Sequence, residues 1–546
     1  MKLQRYIMCV LCALALQANA TDNYPKNPNI DIDNYRFALT LSDDSDVIRG
    51  EAEISVLLKK DGVESLRFDL IGKSENMGGK GMIVSVVMVN GTPANFNHAG
   101  DALSIQLAKE SRKEGPLKVT IVYAGIPATG LIIGPNKHGD RTFFSDNWPN
   151  KVRNWLPAVD HPYDKATCEF LITAPDHYQV ISNGLLIETT NLPSSQKLSH
   201  WKQSVPIATW LYALGVAEFA VQYVEEFEGK SIQTWVYKQD RDSGFYNFAI
   251  PTKDVMAFYS DYVGPYAYEK LANVQANSIR GGGMEAATAI FYHPSSVTGD
   301  RTERWRNVII HEVAHQWFGN AVTEYDWDDV WLSEGFATYF TLLYIEHAYG
   351  RDEFVEGLKS ARDKVYQFYK DNPDYRIVHD NLDDMSKVST IQTYQKGAWI
   401  LHMLRNNLGD KAFETGIKSY YRKYFNINAT TADFKTEMEL ASGQNLDAFF
   451  KQWLYQGGNV ELKGSWSYNS KMKKITIDLA QVQKDYSFSV PVEIAIYRKE
   501  GEKPDVQSVV LDKHTGKFEF TLDSAPLKVE LDPNTKLLAT WEFSRK

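Results

Sequence analysis

Cysteine is scarce in this chain. Its 546 residues include three, and two of them, Cys9 and Cys12, fall inside an apolar run close to the start. If that run belongs to a cleaved leader, Cys168 is left alone, and an intramolecular disulfide is excluded. A large exported protein without disulfides suits a bacterial periplasm or exterior better than an animal extracellular space. Long apolar runs are also lacking. Ile7–Leu16 is too short to span a bilayer comfortably, and no second segment is long and apolar enough. Excess positive charge is absent. The net charge is −10, and it becomes −12 if Lys2 and Arg5 leave with a leader. That balance argues against a nucleic-acid partner, whose phosphates want a basic face. Internal repeats and low-complexity tracts are missing. So is a phosphate-cradling loop, because no G-K-[ST] follows the triple glycine Gly281–Gly283.

What is present fits a globular protein of several domains, with 43% apolar and 23% charged residues. Residues 1–20 read as a secretory leader: Lys2 and Arg5, an apolar core, then the small-x-small site Ala18-Asn19-Ala20. The expectation is export across an inner membrane, to a periplasm or the exterior. Residues 21–220 read as an antiparallel β domain. Phe37–Leu41, Ala52–Leu58 and Val119–Tyr123 are β-prone, and turn signals such as Asp61-Gly62, Asn90-Gly91 and Asn183-Gly184 separate such runs. Within it, Asn147–Pro162 is rich in tryptophan and proline. It reads as a rigid loop with an internal Arg153–Asp160 ion pair, and with Trp148 turned toward a cleft.

Residues 221–457 change texture. Helical periodicity is expected over Phe245–Gly264, Arg301–Gly350, Asp352–Tyr369, Tyr394–Leu408 and Thr431–Gly457. Ala272–Ile279 reads as an extended sheet edge leading into Gly281-Gly282-Gly283-Met284-Glu285. Glycines there suit backbone lying close to a ligand, and an extended peptide can hydrogen-bond to such an edge. Residues 458–546 return to strands, among them Ile475–Ile477, Val492–Ile496 and Phe518–Leu522. They read as a β-sandwich without a catalytic constellation. The fold class is a multidomain α+β protein.

The chemistry concentrates between Ile309 and Phe340. His311 and His315 are four apart and share a helix face. Glu312 is turned partly toward the same side, and Glu334 follows His315 after eighteen residues. Two imidazoles and one carboxylate leave a fourth position on zinc for water, the pattern of a catalytic site rather than a closed one. Glu334 lies on a second apolar helix, where a carboxylate is costly unless paired or metal-bound. Glu312 would then serve as base and not as ligand.

Together these segments resemble the aminopeptidase N family of zinc peptidases, which includes the leukotriene hydrolases. The carrying residues are His311-Glu312-Val313-Ala314-His315, Trp331–Ala337, Gly282-Gly283-Met284-Glu285 and Tyr394–Ala398. Weaker echoes run through Arg153, Asp160, Ser182-Asn183-Gly184 and Trp453. The resemblance implies an N-terminal β domain, a thermolysin-like catalytic domain and a β-sandwich. Many relatives add a large helical domain over the site, and without it the cleft is expected to be more open. The resemblance further implies one zinc held by His311, His315 and Glu334, with Glu312 as base. Tyr394, which on residues alone is an ordinary core tyrosine, becomes an oxyanion donor. Glu285 becomes the anchor of a substrate's free α-amino group, Gly282 and Gly283 line the peptide, and Met284 lines the first side-chain pocket. Two positions depart from the family pattern. Ala286 stands where asparagine is usual, and Trp148 aligns with a second amine anchor. The expected function is removal of N-terminal residues from peptides. A zinc hydrolase of a non-peptide, epoxide-type substrate and a non-catalytic binding protein stay open as alternatives.

Overall fold

The computed structural model describes residues 22–546 apart from 109–112, 114, 249–250, 280, 379–381 and 383. The leader reading therefore falls outside the described residues, as does Arg280.

An eight-stranded sheet dominates the first part of the chain. Its strands alternate buried and half-buried residues, as in Lys165–Pro175, because successive side chains point to opposite faces. Phe37–Leu41, Ala52–Leu58 and Val119–Tyr123 all lie at its centre. The expectation of a purely antiparallel domain needs correction at one seam. Ile30–Thr40 pairs parallel with Lys165–Pro175, and more than a hundred residues separate the two, ample for the crossover that parallel pairing demands. The loop after Asn147 carries the expected ion pair, with Arg153 Nε 3.0 Å from Asp160 Oδ2.

The next sheet carries the site. Its order is Phe219–Phe227, Lys230–Tyr237, Lys270–Gln275, Ala289–Tyr292, then Gly283–Met284. Lys270–Gln275 is thus an interior strand, wholly buried and parallel to both neighbours. The edge expected over Ala272–Ile279 is formed instead by the two residues Gly283–Met284. Half of the six residues of Lys270–Gln275 are polar, and the strand can be buried on both faces because those three are bonded: Lys270 Nζ to the Ser182 carbonyl at 3.0 Å, Asn273 Nδ2 to Thr252 Oγ1 at 3.0 Å and Gln275 Nε2 to Asp240 Oδ2 at 2.7 Å.

The helices are α1 (Arg241–Phe248), α2 (Thr252–Tyr262), α3 (Glu303–His315), α4 (Trp331–Tyr349), α5 (Arg351–Asp371), α6 (Gly397–Leu408), α7 (Asp410–Lys423), α8 (Thr431–Ser442) and α9 (Asp447–Leu454). The helical run expected over Arg301–Gly350 is broken between α3 and α4. Gly319 there has φ +105°, a left-handed conformation that costs glycine little, and Thr323–Glu324 forms a short strand. The run expected over Thr431–Gly457 is likewise split, at Gly443. Tyr394 lies not in the α-helix expected from it but in a π-helical turn, Gln392–Lys396, that feeds α6. Beyond residue 459 the strands form one four-stranded and one three-stranded sheet.

Two sets of contacts hold the first part of the chain against the site. Asn183 donates to the carbonyls of Leu211 (2.9 Å) and Ala287 (2.6 Å), and Gly184 N–H donates to Thr288 Oγ1 at 2.8 Å. The turn signal Asn183-Gly184 thereby braces the loop just after Glu285. At the other end, the segment before α4 is clasped from the N-terminus. Lys26 Nζ lies 2.7 Å from Asp326 Oδ2, and the Asp22 amide donates to Asp326 Oδ1 at 3.0 Å. Among the described residues no helix is long and apolar enough to cross a membrane.

Candidate active site

His311 and His315 face the same side from the last turn of α3, and Glu334 faces them from the first turn of α4. The Nε2 atoms of the histidines are 3.1 Å apart. Glu334 Oε2 stands 3.2 Å from His315 Nε2 and 3.5 Å from His311 Nε2. The three donor atoms therefore converge on one point. Ligands at about 2.0–2.1 Å from a tetrahedral ion sit about 3.3 Å from one another, which is the spacing seen.

The surroundings support that reading. His315 Nδ1 lies 3.1 Å from the Phe318 carbonyl. A carbonyl only accepts, so the proton sits on Nδ1 and the Nε2 lone pair points at the other two donors. Ser333 Oγ is a further 3.1 Å contact to the same nitrogen. Glu334 Oε1 accepts the Tyr394 hydroxyl at 2.5 Å, while Oε2 has no hydrogen-bond donor. A buried carboxylate oxygen left this way is explained by an ion. Charge agrees. Burial works against a charged His315, yet the carboxylates of Glu285, Glu334 and Glu312 push it up to about 10. The pocket calls for a positive charge, and the donor set suits zinc.

Around this trio lies a cleft of about 800 Å³ that includes Gly281, Gly282, Gly283, Glu285, Glu312 and Tyr394 in its walls. The His311 side chain is 19% exposed while those of His315 and Glu334 are at most 5%, so solvent reaches the trio from the His311 side. Glu312 is buried beside the Gly283–Met284 edge. Burial, with the charge of Glu285 adding to it, pushes its carboxyl well above the usual range.

Glu285 is also buried, and burial pushes its carboxyl up to about 7, with His315 opposing. Its Oε1 finds no partner. Its backbone carbonyl accepts from Gln316 Nε2 (3.1 Å) and Asn320 Nδ2 (2.7 Å). These two amides, just past the second histidine, tie the segment after the Gly283–Met284 edge to the end of α3. Sequence reasoning missed them and Ser333, although their place next to the motif was a usable signal. Met284 is buried at the strand edge and Ala286 behind it. Trp148 does not line the cleft as expected. It packs edge-on against Trp210 and Trp327, with centroids 4.8 and 5.1 Å away, because its large apolar face is better buried among rings than left in a polar cavity.

Two histidines from one helix and a glutamate from the next, with a second glutamate beside the first histidine, define a gluzincin-type metal centre. The comparisons with known proteins agree. The Peptidase M1 N-terminal domain model matches residues 32–211 and the Peptidase family M1 domain model matches residues 246–453. The chain belongs to peptidase family M1. It is 28% identical over 400 residues to the glutamyl aminopeptidase of Homo sapiens, covering 70% of this chain and 41% of that protein. It is 26% identical over 327 residues to aminopeptidase M1 of Arabidopsis thaliana, covering 57% and 36%. The chain thus spans well under half the length of these curated relatives. In fold it is similar to an M1 zinc metallopeptidase from Deinococcus radiodurans, at TM-score 0.66 and 24% identity, covering 78% of this chain and 94% of that one.

Proposed function

We propose that this protein is a zinc-dependent aminopeptidase that removes N-terminal residues from peptides. The observation that carries the reading is the buried Glu285 Oε1, which has no hydrogen-bond partner, in the same cleft as the His311–His315–Glu334 trio. A free α-amino group, with a pKa of about 8, is mostly cationic at neutral pH. Glu285 fixes that cation at one end of the cleft, so the scissile bond next to it falls at the trio. Cleavage is then confined to the first residue.

His311, His315 and Glu334 would hold one zinc. When bound, zinc supplies Lewis acidity and lowers the pKa of a water toward about 7. Glu312 takes the proton of the attacking water and delivers it to the leaving amine. Its high proton affinity in this buried place suits it to carry that proton. Tyr394 donates its hydroxyl to the oxyanion that develops on the carbonyl, turning from Glu334 to do so. Gly282 and Gly283 offer backbone groups to the peptide, and Met284 borders the first side chain. The departures at Ala286 and Trp148 remove polar contacts, which places the amine's charge on Glu285. An epoxide substrate gives such an anchor nothing to bind, and a scaffold without catalysis needs no base.

Two further readings accompany this one. The two C-terminal sheets are taken as a β-sandwich domain. The leader pattern of residues 1–20 supports a periplasmic or extracellular location, and N-terminal sequencing of the exported protein tests it, since an intact Met1 would refute cleavage after Ala20. For the activity itself, amino-acid anilides are assayed beside their N-acetylated forms. Free-amine substrates are expected to be cleaved and acetylated ones spared. Glu312→Gln is expected to retain one zinc per chain and to lose turnover by about 10²–10⁴-fold. Equal rates on both substrate forms would refute the anchor, and an active Glu312→Gln would refute the base.

A further inference from the structure

We propose that leader cleavage supplies the fold with an ion-pair partner: the α-amino group freed on Thr21 closes on the buried carboxylate of Asp328 and fastens the segment that leads into α4. The proposal goes beyond the catalytic reading and rests on the leader reading of residues 1–20.

The charges at this end of the chain come first. Asp22 and Asp326 are both buried, and the Asp22 amide donates to Asp326 Oδ1 at 3.0 Å. The Lys26 ammonium bridges the two acids, 2.7 Å from Asp326 and 3.2 Å from Asp22. His161 Nε2 lies 2.6 Å from Asp22 Oδ2, while its Nδ1 accepts the Tyr163 amide at 3.1 Å. One proton therefore serves that ring, and His161 adds no charge. Asp329 accepts from the amide and the hydroxyl of Thr431, at 3.1 and 2.6 Å.

Asp328 is different. It is 2% exposed, and among the described residues neither of its oxygens has a hydrogen-bond partner. Burial pushes its carboxyl up to about 7, with Asp326, Asp22 and Asp329 adding to the effect and Lys26 opposing it. A carboxylate buried this way is costly unless a cation reaches it.

Processing of the chain delivers one. Hydrolysis of the Ala20–Thr21 bond consumes a water and leaves a carboxylate on Ala20 and an amine on Thr21. With a pKa of about 8, that amine is mostly cationic at neutral pH. It is one residue from the Asp22 nitrogen, which itself lies 3.0 Å from Asp326 Oδ1, and one residue spans at most about 3.6 Å. The new charge thus arrives among these acids. While the leader is attached, the same nitrogen is a neutral amide.

The place matters for the metal centre. Asp326 stands at the start of the turn Trp327–Asp329, which runs on into α4. Glu334 stands in the first turn of that helix, and Trp327 packs against Trp148 of the N-terminal domain. Fastening the turn at Asp328 therefore steadies the start of the helix that carries the third donor.

Two chains test the pair. One is released from a fusion tag so that it begins at Thr21, and the other carries Gly-Ser ahead of Thr21. Each is made with Asp328 and with Asp328→Asn. In the parent, the added Gly-Ser is expected to lower the melting midpoint by about 2–4 °C, and in Asp328→Asn the two forms are expected to melt alike. Acylation of the Thr21 amine at neutral pH, followed by mass spectrometry, reads its unprotonated fraction. It is expected to run about tenfold slower in the folded parent than in Asp328→Asn, the effect of one pKa unit. Equal midpoints for the two parent chains, or equal acylation rates with and without Asp328, overturn the pair and leave the leader reading intact. An exported protein that N-terminal sequencing finds to begin elsewhere overturns the leader reading and the pair with it.

Discussion

Gly283 and Glu312 lie so close that a Cβ on the glycine would overlap the glutamate's carboxylate. The edge strand therefore presses directly on the proposed base, and only a residue without a side chain leaves the carboxylate in place. Gly283→Ala is expected to push Glu312 aside by about an ångström, which costs about 10²-fold in rate when a reacting group is displaced. Zinc content should not change, because no donor of the trio is touched. Steady-state kinetics with metal analysis checks this. Full activity in Gly283→Ala would show that Glu312 has room to spare.

The contact between Tyr394 and Glu334 gives a second prediction. The hydroxyl now donates to Glu334 Oε1 at 2.5 Å, so it is held within reach of the trio before any substrate arrives. Tyr394→Phe removes the donor but keeps the ring, which stacks 6.0 Å from His311. Loss of an oxyanion donor costs about 10²–10³-fold in kcat. The expected result is that loss with KM nearly unchanged, and a full-rate Tyr394→Phe would remove the residue from the reaction.

Tyr394 is placed by a close crossing of two backbones. A Cβ on Gly397 would come within 2.8 Å of the Gly335 Cα, and one on Gly335 within 2.9 Å of the Gly397 Cα. Gly335 is next to Glu334, and Gly397 ends the π-helical turn, so the crossing sets the distance between carboxylate and phenol. Gly397→Ala is expected to cost about 1–3 kcal/mol, as overpacking does in a tight interior, and to lower activity along with it. Thermal unfolding and an anilide assay on the same sample test both. An unchanged melting midpoint would mean that the two segments can separate freely.

That crossing shows what the sequence could and could not disclose. The metal trio was legible because its signal is local: two histidines one helical turn apart, and a glutamate on an apolar helix that has no other use for it. That Glu285 would share the cleft with the trio was legible through its glycines. The brace from Asn183 to Ala287 joins residues about a hundred positions apart, and no periodicity announces such a contact. The same holds for Gln316 and Asn320 on the Glu285 carbonyl. The interior place of Lys270–Gln275 was misread because Lys270, Asn273 and Gln275 suit an exposed edge by type, and their partners Ser182, Thr252 and Asp240 are brought to them only by the fold. α7 (Asp410–Lys423) was not anticipated at all, although its buried positions Phe413, Gly416, Ile417, Tyr420 and Tyr421 follow a helical period.

A last prediction concerns pH and a group far from the metal centre. His402 of α6 is buried between Tyr339, whose hydroxyl lies 3.2 Å from Nδ1, and the Thr535 carbonyl, 2.8 Å from Nε2. The carbonyl requires the proton on Nε2, so Nδ1 accepts from the tyrosine and has no room for a second proton. Burial moves the group from the usual histidine value of 6.5 down to about 4, with Arg351 and Arg405 adding to the effect. The folded protein therefore holds His402 neutral at a pH where the unfolded chain would protonate it. Its contribution to stability is complete above pH 6.5, declines as pH falls from 6.5 to 4, and is constant below that. The full loss amounts to about 3 kcal/mol. His402→Gln keeps a donor for Thr535 without titrating, so urea midpoints measured across this window should fall less steeply in the variant than in the parent. Parallel slopes would assign the acid sensitivity to other groups.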